Sequence, residues 1–305
     1  MQFRRIKRAV DGVLLLDKPL GYSSNQALQQ VKRLYQAAKA GHTGSLDPLA
    51  TGLLPICLGE ATKFSHFLLD ADKSYRALVQ LGSTTTTGDV EGEVLSRSDV
   101  NVKAEQLQAA LQKFIGDIEQ VPPMYSALKH QGKALYEYAR DGVDVTRSAR
   151  QVKIFSIDLI SFDAQAHRFE MDVVCSKGTY IRTLAEDIGH ALGCGAHLAG
   201  LRRLSTAHFR LEDAHTLEQL EKMTLEQRDD ILLGADAAVA DLPQVELDAD
   251  STFYLLRGQS VWKSGMKIDG LFRIYSEDGR FLGLGELDRD GKIAPKRLLV
   301  VRDKS

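Results

Sequence analysis

The chain has 305 residues, 44% of them hydrophobic and 26% charged, with a formal net charge of −2. That length suits one large domain with a small appendage; the composition excludes a disordered chain, and no apolar run reaches the roughly 20 residues that span a bilayer. Cysteine occurs only at Cys57, Cys175 and Cys194, with no CxxC pair, which excludes a secreted disulfide framework.

The basic start, Arg4-Arg5-Ile6-Lys7-Arg8, precedes an apolar stretch, Val13 to Leu16, that breaks at Asp17. Four residues are too few for the core of a signal peptide, so the expected compartment is the cytoplasm. Val13 to Leu16 reads as a short strand ending in a turn at Lys18-Pro19-Leu20-Gly21. A helix is expected from about Ser24, capped by Ser24 or Asn25, with Ala27, Val31, Leu34 and Tyr35 along one face. Gly41 to Gly52 forms an irregular, glycine-bearing loop. Lys73 to Leu81 alternates, with Tyr75, Ala77, Val79 and Leu81 on the apolar face of a half-buried strand. Lys103 to Ile115 has the period of an amphipathic helix.

Residues 126–150 are polar and hold Lys129, His130, Lys133, Arg140, Arg147 and Arg150, a long excursion of the kind that carries a function. Two strands, Lys153 to Phe162 and His167 to Cys175, flank a polar turn and put Cys175 on a buried face with Phe169, Met171 and Val173. Tyr180 to Leu192 is a helix striped by Ile181, Leu184, Ile188 and Leu192. Glu212 to Asp230 should form short, solvated helices. After Leu242-Pro243 come short strands with turns at Glu277-Asp278-Gly279 and Asp288-Arg289-Asp290-Gly291, the pattern of a small β-barrel-like module. Strands and helices mix without a regular βαβ rhythm. The expected class is α+β, a largely antiparallel central sheet with flanking helices, divided into residues 1–245 and a β-rich module at 246–305.

Charge is unevenly placed. Residues 211–250 carry twelve acids and two bases, whereas residues 251–305 carry eleven bases and seven acids. Basic blocks beside an acidic one can steer a polyanion even when the total is near zero.

The densest chemical signal is Gly41-His42-Thr43-Gly44-Ser45-Leu46-Asp47-Pro48-Leu49-Ala50-Thr51-Gly52-Leu53-Leu54-Pro55. Glycine permits positive φ and proline fixes φ, so this string dictates one backbone path around a single carboxylate. From the residues alone, Asp47-Pro48 could equally be a turn start. A phosphate cradle would need a Lys-Ser/Thr ending that is absent. No His, Cys, Asp and Glu spacing suits a metal and no dinucleotide fingerprint follows a strand, so no cofactor or metal is expected.

This string resembles a motif of the tRNA pseudouridine synthase B family. Further stretches match in order: Leu15-Leu16-Asp17-Lys18-Pro19, Asp72-Lys73-Ser74-Tyr75, Pro122-Pro123-Met124-Tyr125-Ser126-Ala127, Ser176-Lys177-Gly178-Thr179-Tyr180-Ile181-Arg182, and Gly195-Ala196-His197 through Leu201-Arg202-Arg203-Leu204. Residues Asp288 to Leu299 are similar to the family's C-terminal PUA module, an RNA-binding fold. The resemblance implies an enzyme that isomerises uridine 55 in the T arm of tRNA to pseudouridine after flipping the base. It implies Asp47 as the catalytic carboxylate and Arg182 as its partner, expected to keep it ionised and aimed through a bidentate fork. Tyr75 would stack on the uracil and handle the C5 proton, while Tyr180 and Leu201 complete the pocket. His42 would contact the RNA around the flipped nucleotide. Candidate RNA-contacting cations are Lys18, Lys129, Lys133, Arg140, Arg147, Arg150, Arg202 and Arg203. The expected partner is tRNA, with a monomeric protein, no membrane and no obligate protein partner. The rival reading is a tRNA-folding chaperone whose role needs no catalysis; a pure binder would have no use for Asp47, Tyr75 and Arg182 together.

Overall fold

A computed structural model describes residues 7–300. The main elements are β1 (Gly12–Lys18), α1 (Ser24–Leu34), β2 (Ala50–Leu58), β3 (Lys73–Leu81), α2 (Ala104–Gln112), β4 (Gly116–Gln120), β5 (Arg150–Asp163), β6 (Arg168–Cys175), α3 (Ile181–Ala191) and β7 (Ala196–Thr206). Across the main sheet the strands run β1-β2-β7-β3-β6-β5-β4, with a short His215–Thr216 strand beside β1. Contacts between neighbours are antiparallel except where β7 meets β2 and where His215–Thr216 meets β1. The sheet is therefore mixed and largely antiparallel, as expected. No helix among the described residues is long and apolar enough to cross a membrane.

β1 is buried on both faces because its apolar run leaves no polar side. Leu14 and Leu16 enter one core with α1 and α3, whereas Val13 and Leu15 enter a second core on the other face. The parallel pairing of β2 with β7 needs glycine at position 52. A Cβ there would lie 2.3 Å from the Arg203 carbonyl oxygen, and Gly52 has φ +98°, a conformation that side chains resist. The cap of α1 is Ser23, which forms a capping box with Gln26, not Ser24 or Asn25. Ser24 lies one position inside the helix, where its hydroxyl is free for another task described below.

The C-terminal module is a four-stranded sheet of β8 (Gln244–Leu247), β9 (Phe272–Ser276), β10 (Phe281–Leu287) and β11 (Ile293–Leu298), around its own core. It packs on the face of the main sheet away from α1 and α3. Leu284 joins the core of Val13, Leu15 and Phe64, and the rings of Phe64 and Phe281 lie 5.5 Å apart. The Tyr275 hydroxyl donates to Asp236 at 2.7 Å, and Lys63 donates to the Leu298 carbonyl at 2.8 Å. Phe64 is fully buried, so Phe64→Ala should destabilise the fold by about 3–5 kcal/mol. Urea unfolding followed by circular dichroism reads this; an unchanged midpoint would mean that this contact does not hold the module.

Candidate active site

The loop bearing Asp47 spans residues 43–49, shorter than the Gly41–Gly52 loop expected, because Ala40–His42 and β2 are both strands. Each of its turns is tied to a neighbour. The backbone N–H and hydroxyl of Thr43 both donate to the Pro55 carbonyl, at 3.2 and 3.3 Å. The buried Ser24 hydroxyl accepts from Leu46 N–H at 2.7 Å and donates to the Leu46 carbonyl at 3.1 Å. Gly21 N–H donates to the Pro48 carbonyl at 2.8 Å, and Ala50 N–H to the Asp47 carbonyl at 3.0 Å. Asp47 thus stands on a backbone pinned on both sides, which is how a side chain is pre-positioned for chemistry.

The Asp47 side chain is 42% exposed and its Oδ2 lies 3.1 Å from Nε of Arg182, whose side chain is 6% exposed. An open carboxylate above a buried guanidinium can meet a substrate while its partner cannot be drawn away. The rest of the fork is used elsewhere: Nη1 donates to the Thr87 carbonyl at 3.0 Å and lies 3.5 Å from Asp89, and Nη2 donates to the Tyr125 carbonyl at 2.6 Å. The expected bidentate Asp47–Arg182 fork is therefore absent, because both terminal nitrogens are committed to other oxygens. The expected lowering of the Asp47 pKa is also corrected. Desolvation in the cleft pushes it up, and Asp89 adds to this; Arg182 and Lys18 only oppose the rise. A nucleophile or base must be ionised, so the saturated reaction rate should fall as pH drops through this raised pKa. The midpoint should lie above the value of about 4 of a free aspartate. A single-turnover pH profile measures it; a midpoint at or below that value would contradict the partial desolvation of this carboxylate.

Tyr75 is on β3, paired across strands with Arg203 on one side and Val173 on the other. Burial pushes its phenol pKa up, with Arg203 pulling the opposite way, so the hydroxyl stays protonated at neutral pH. Tyr180 caps α3, two residues before Arg182. Leu201 is half-buried on β7 opposite Ala50 and Ala77. Asp47 acts electrostatically on Lys18, Tyr75 and Tyr180, so the sheet brings these side chains around one point. His42 ends the strand before the loop. Its Nδ1 is buried without a hydrogen-bond partner among the described residues, and burial, aided by Arg203, lowers its pKa. It is a neutral, planar ring at the cleft edge.

Two expected RNA contacts are corrected outright. Lys18 is fully buried and donates to the carbonyls of Pro19 and Tyr22, at 3.0 and 2.5 Å; it faces Asp47, not solvent. Arg203 is fully buried and donates through Nε to the Leu53 carbonyl at 2.6 Å. Neither can reach a phosphate. Arg202 alternates to the opposite sheet face, where it pairs with Asp17 at 2.7 Å and lines a separate depression of about 490 Å³ with Ser74, Ser205 and Arg210. It is turned away from Asp47. In the excursion, Lys129, Arg140 and Arg150 are exposed. Lys133 pairs with Asp141 at 2.5 Å, and Arg147 with Asp144 at 3.3 Å.

Sequence reasoning missed three residues. Asp89, 4% exposed, holds the far side of Arg182; Ser24 anchors Leu46; and Gln120 is bonded to the backbone of Tyr180. The only signal for Asp89 was its place after Thr87-Gly88, which reads as an ordinary turn. Among the described residues no group of three or more His, Cys, Asp or Glu side chains could hold a metal ion.

Residues 32–181 match the model of the TruB family pseudouridylate synthase N-terminal domain. Residues 182–240 match the tRNA pseudouridylate synthase B C-terminal domain, and residues 243–299 match the family described as pseudouridine synthase II TruB, C-terminal. The chain is 71% identical over 299 residues to the tRNA pseudouridine synthase B of Methylobacillus flagellatus, covering 98% of each protein. The chain belongs to the TruB family of pseudouridine synthases. It is also 53% identical over 315 residues, the full length of both proteins, to the tRNA pseudouridine synthase B of Vibrio vulnificus. Its fold is similar to that in the solved Cbf5-Nop10-Gar1 complex, with 28% identity and a TM-score of 0.69 over 90% of this chain and 78% of that one.

Proposed function

We propose that the protein is a tRNA pseudouridine synthase that isomerises uridine 55 in the T arm, with Asp47 as the reacting carboxylate. The observation that carries this is the pinned, solvent-open Asp47 held against buried Arg182, in a chain with relatives over nearly its full length named tRNA pseudouridine synthase B. The reaction breaks the bond between uracil N1 and the ribose C1′, turns the base and rejoins it through C5, with no change of oxidation state. A carboxylate can promote this by adding to the sugar or base, or by removing the 2′ proton. A stacked base is out of reach, so the uridine leaves the helix and its face meets Tyr75, with Tyr180 and Leu201 as the pocket wall and His42 beside the opened stack. The exposed cations of the excursion and the basic C-terminal module contact phosphates. The protein acts as a monomer in the cytoplasm. Incubating it with unmodified tRNA and mapping pseudouridine at nucleotide resolution tests the reading. Modification confined to position 55 is expected; modification only elsewhere would overturn the T-arm assignment.

A further inference from the structure

We infer that Gln120 is a positioning residue for the isomerisation, setting where α3 begins and hence where Tyr180 and Arg182 stand; this rests on the proposed function. Gln120 is the last residue of β4 and is 2% exposed. Its side-chain Nε2 donates to the Tyr180 carbonyl at 3.2 Å, and Tyr180 N–H donates to its Oε1 at 2.9 Å. One amide thus engages both main-chain groups of a single residue, sharing the Tyr180 carbonyl with the Leu184 N–H, which donates to it at 3.0 Å. Tyr180 is the N-cap of α3 and has no side-chain cap bond of its own, so this amide is the side chain that ties the helix start to β4.

The location gives the clamp a consequence for chemistry. The main chain of Gln120 pairs with Arg150, and this pair closes the excursion of residues 121–149. The same excursion reaches Arg182 through the Tyr125 carbonyl, which accepts from Nη2 at 2.6 Å. Gln120 therefore stands where the RNA-gripping segment, the pocket residue Tyr180 and the partner of Asp47 meet. Loosening it lets α3 start drift, and Nε of Arg182 moves off Asp47. Only a side chain with a donor and an acceptor at this reach makes both bonds: methionine has the length without the groups, and asparagine has the groups without the length.

The test compares wild type with Gln120→Met and Gln120→Asn. It measures tRNA affinity, the saturated single-turnover rate from low to neutral pH, and thermal melting by circular dichroism. Both variants should bind tRNA within about threefold of wild type, since no phosphate contact is lost. Gln120→Met should react about thirtyfold more slowly and Gln120→Asn about tenfold, because a misplacement on the order of 1 Å is enough for such losses. The acid limb of the rate profile should also move to higher pH, as a displaced Arg182 opposes the raised Asp47 pKa less. A purely structural role would lower the melting temperature and leave the profile in place. If Gln120→Met does not fold, Gln120→Asn decides. Rates and acid limbs equal to wild type in the folded variants would overturn the inference. A wild-type protein that forms no pseudouridine would instead overturn the proposed function, and this inference with it.

Discussion

Asp47→Asn should lower the single-turnover rate of pseudouridine formation by at least about a thousandfold, with tRNA affinity within about tenfold of wild type. The amide keeps the shape of the side chain and can still lie near Arg182, but it has neither the charge nor the nucleophilicity that every route of the isomerisation requires. Affinity survives because a carboxylate makes no favourable phosphate contact. The structure adds a second expected result. Desolvation raises the Asp47 pKa, and because the side chain is still 42% exposed, its ionised form carries only a small, solvent-screened cost to stability at neutral pH. Removing that charge should leave the melting temperature equal or higher, the sign found where function and stability conflict. Near-normal turnover would discard the mechanism; a clear fall in melting temperature would discard this account of its partial desolvation.

Arg182→Lys should lower the saturated rate by about a hundredfold. The substitution retains the charge, yet the guanidinium binds Asp47, Asp89 and the carbonyls of Thr87 and Tyr125 at once. A single ammonium on a flexible stem cannot reach this set of acceptors from one position, so buried oxygens are left unpaired. The side chain that follows them will leave Asp47. The acid limb of the pH profile should shift upward relative to wild type, which distinguishes lost aim from lost binding. A rate within about threefold of wild type would mean that Arg182 serves only the fold.

Much of the site was legible in the chain. Glycines and prolines around Asp47 announced a rigid loop, and alternation along Lys73–Leu81 placed Tyr75 on the inner face. Helical spacing placed Arg182 in the first turn of α3. What could not be read was which neighbours the sheet would supply. Arg202 and Arg203 are adjacent and chemically identical, yet strand alternation sends one to a solvent-facing pair with Asp17 and the other into the protein beside Tyr75. Lys18 stood among the candidate RNA contacts, but the turn it opens folds its own carbonyls over the ammonium. Asp89 and Gln120 act on Arg182 and Tyr180 across more than fifty residues of chain, a separation over which no local pattern carries information.

The buried lysines give the fold an uncommon response to alkali. Burial lowers the pKa of Lys18 and of Lys73 to about 8, from an ordinary 10.5. Between those values the folded chain gives up two protons that the unfolded chain keeps, so these groups make the fold more stable as pH rises from about 8 to 10.5. The buried phenols run the other way. Tyr35, Tyr75 and Tyr180 have raised pKa values, so they withdraw stability once unfolded tyrosines ionise, above about pH 10. The thiols of Cys57, Cys175 and Cys194, pushed up by burial, likewise withdraw stability once unfolded cysteines ionise, above about pH 8.5, so they offset the gain from the lysines and leave stability nearly level over that range. Melting temperatures recorded from pH 6 to 11 should hold nearly level between about pH 8 and 10 and fall above that, and a steep decline beginning near pH 8 would show that the two ammonium groups are more hydrated than their burial implies.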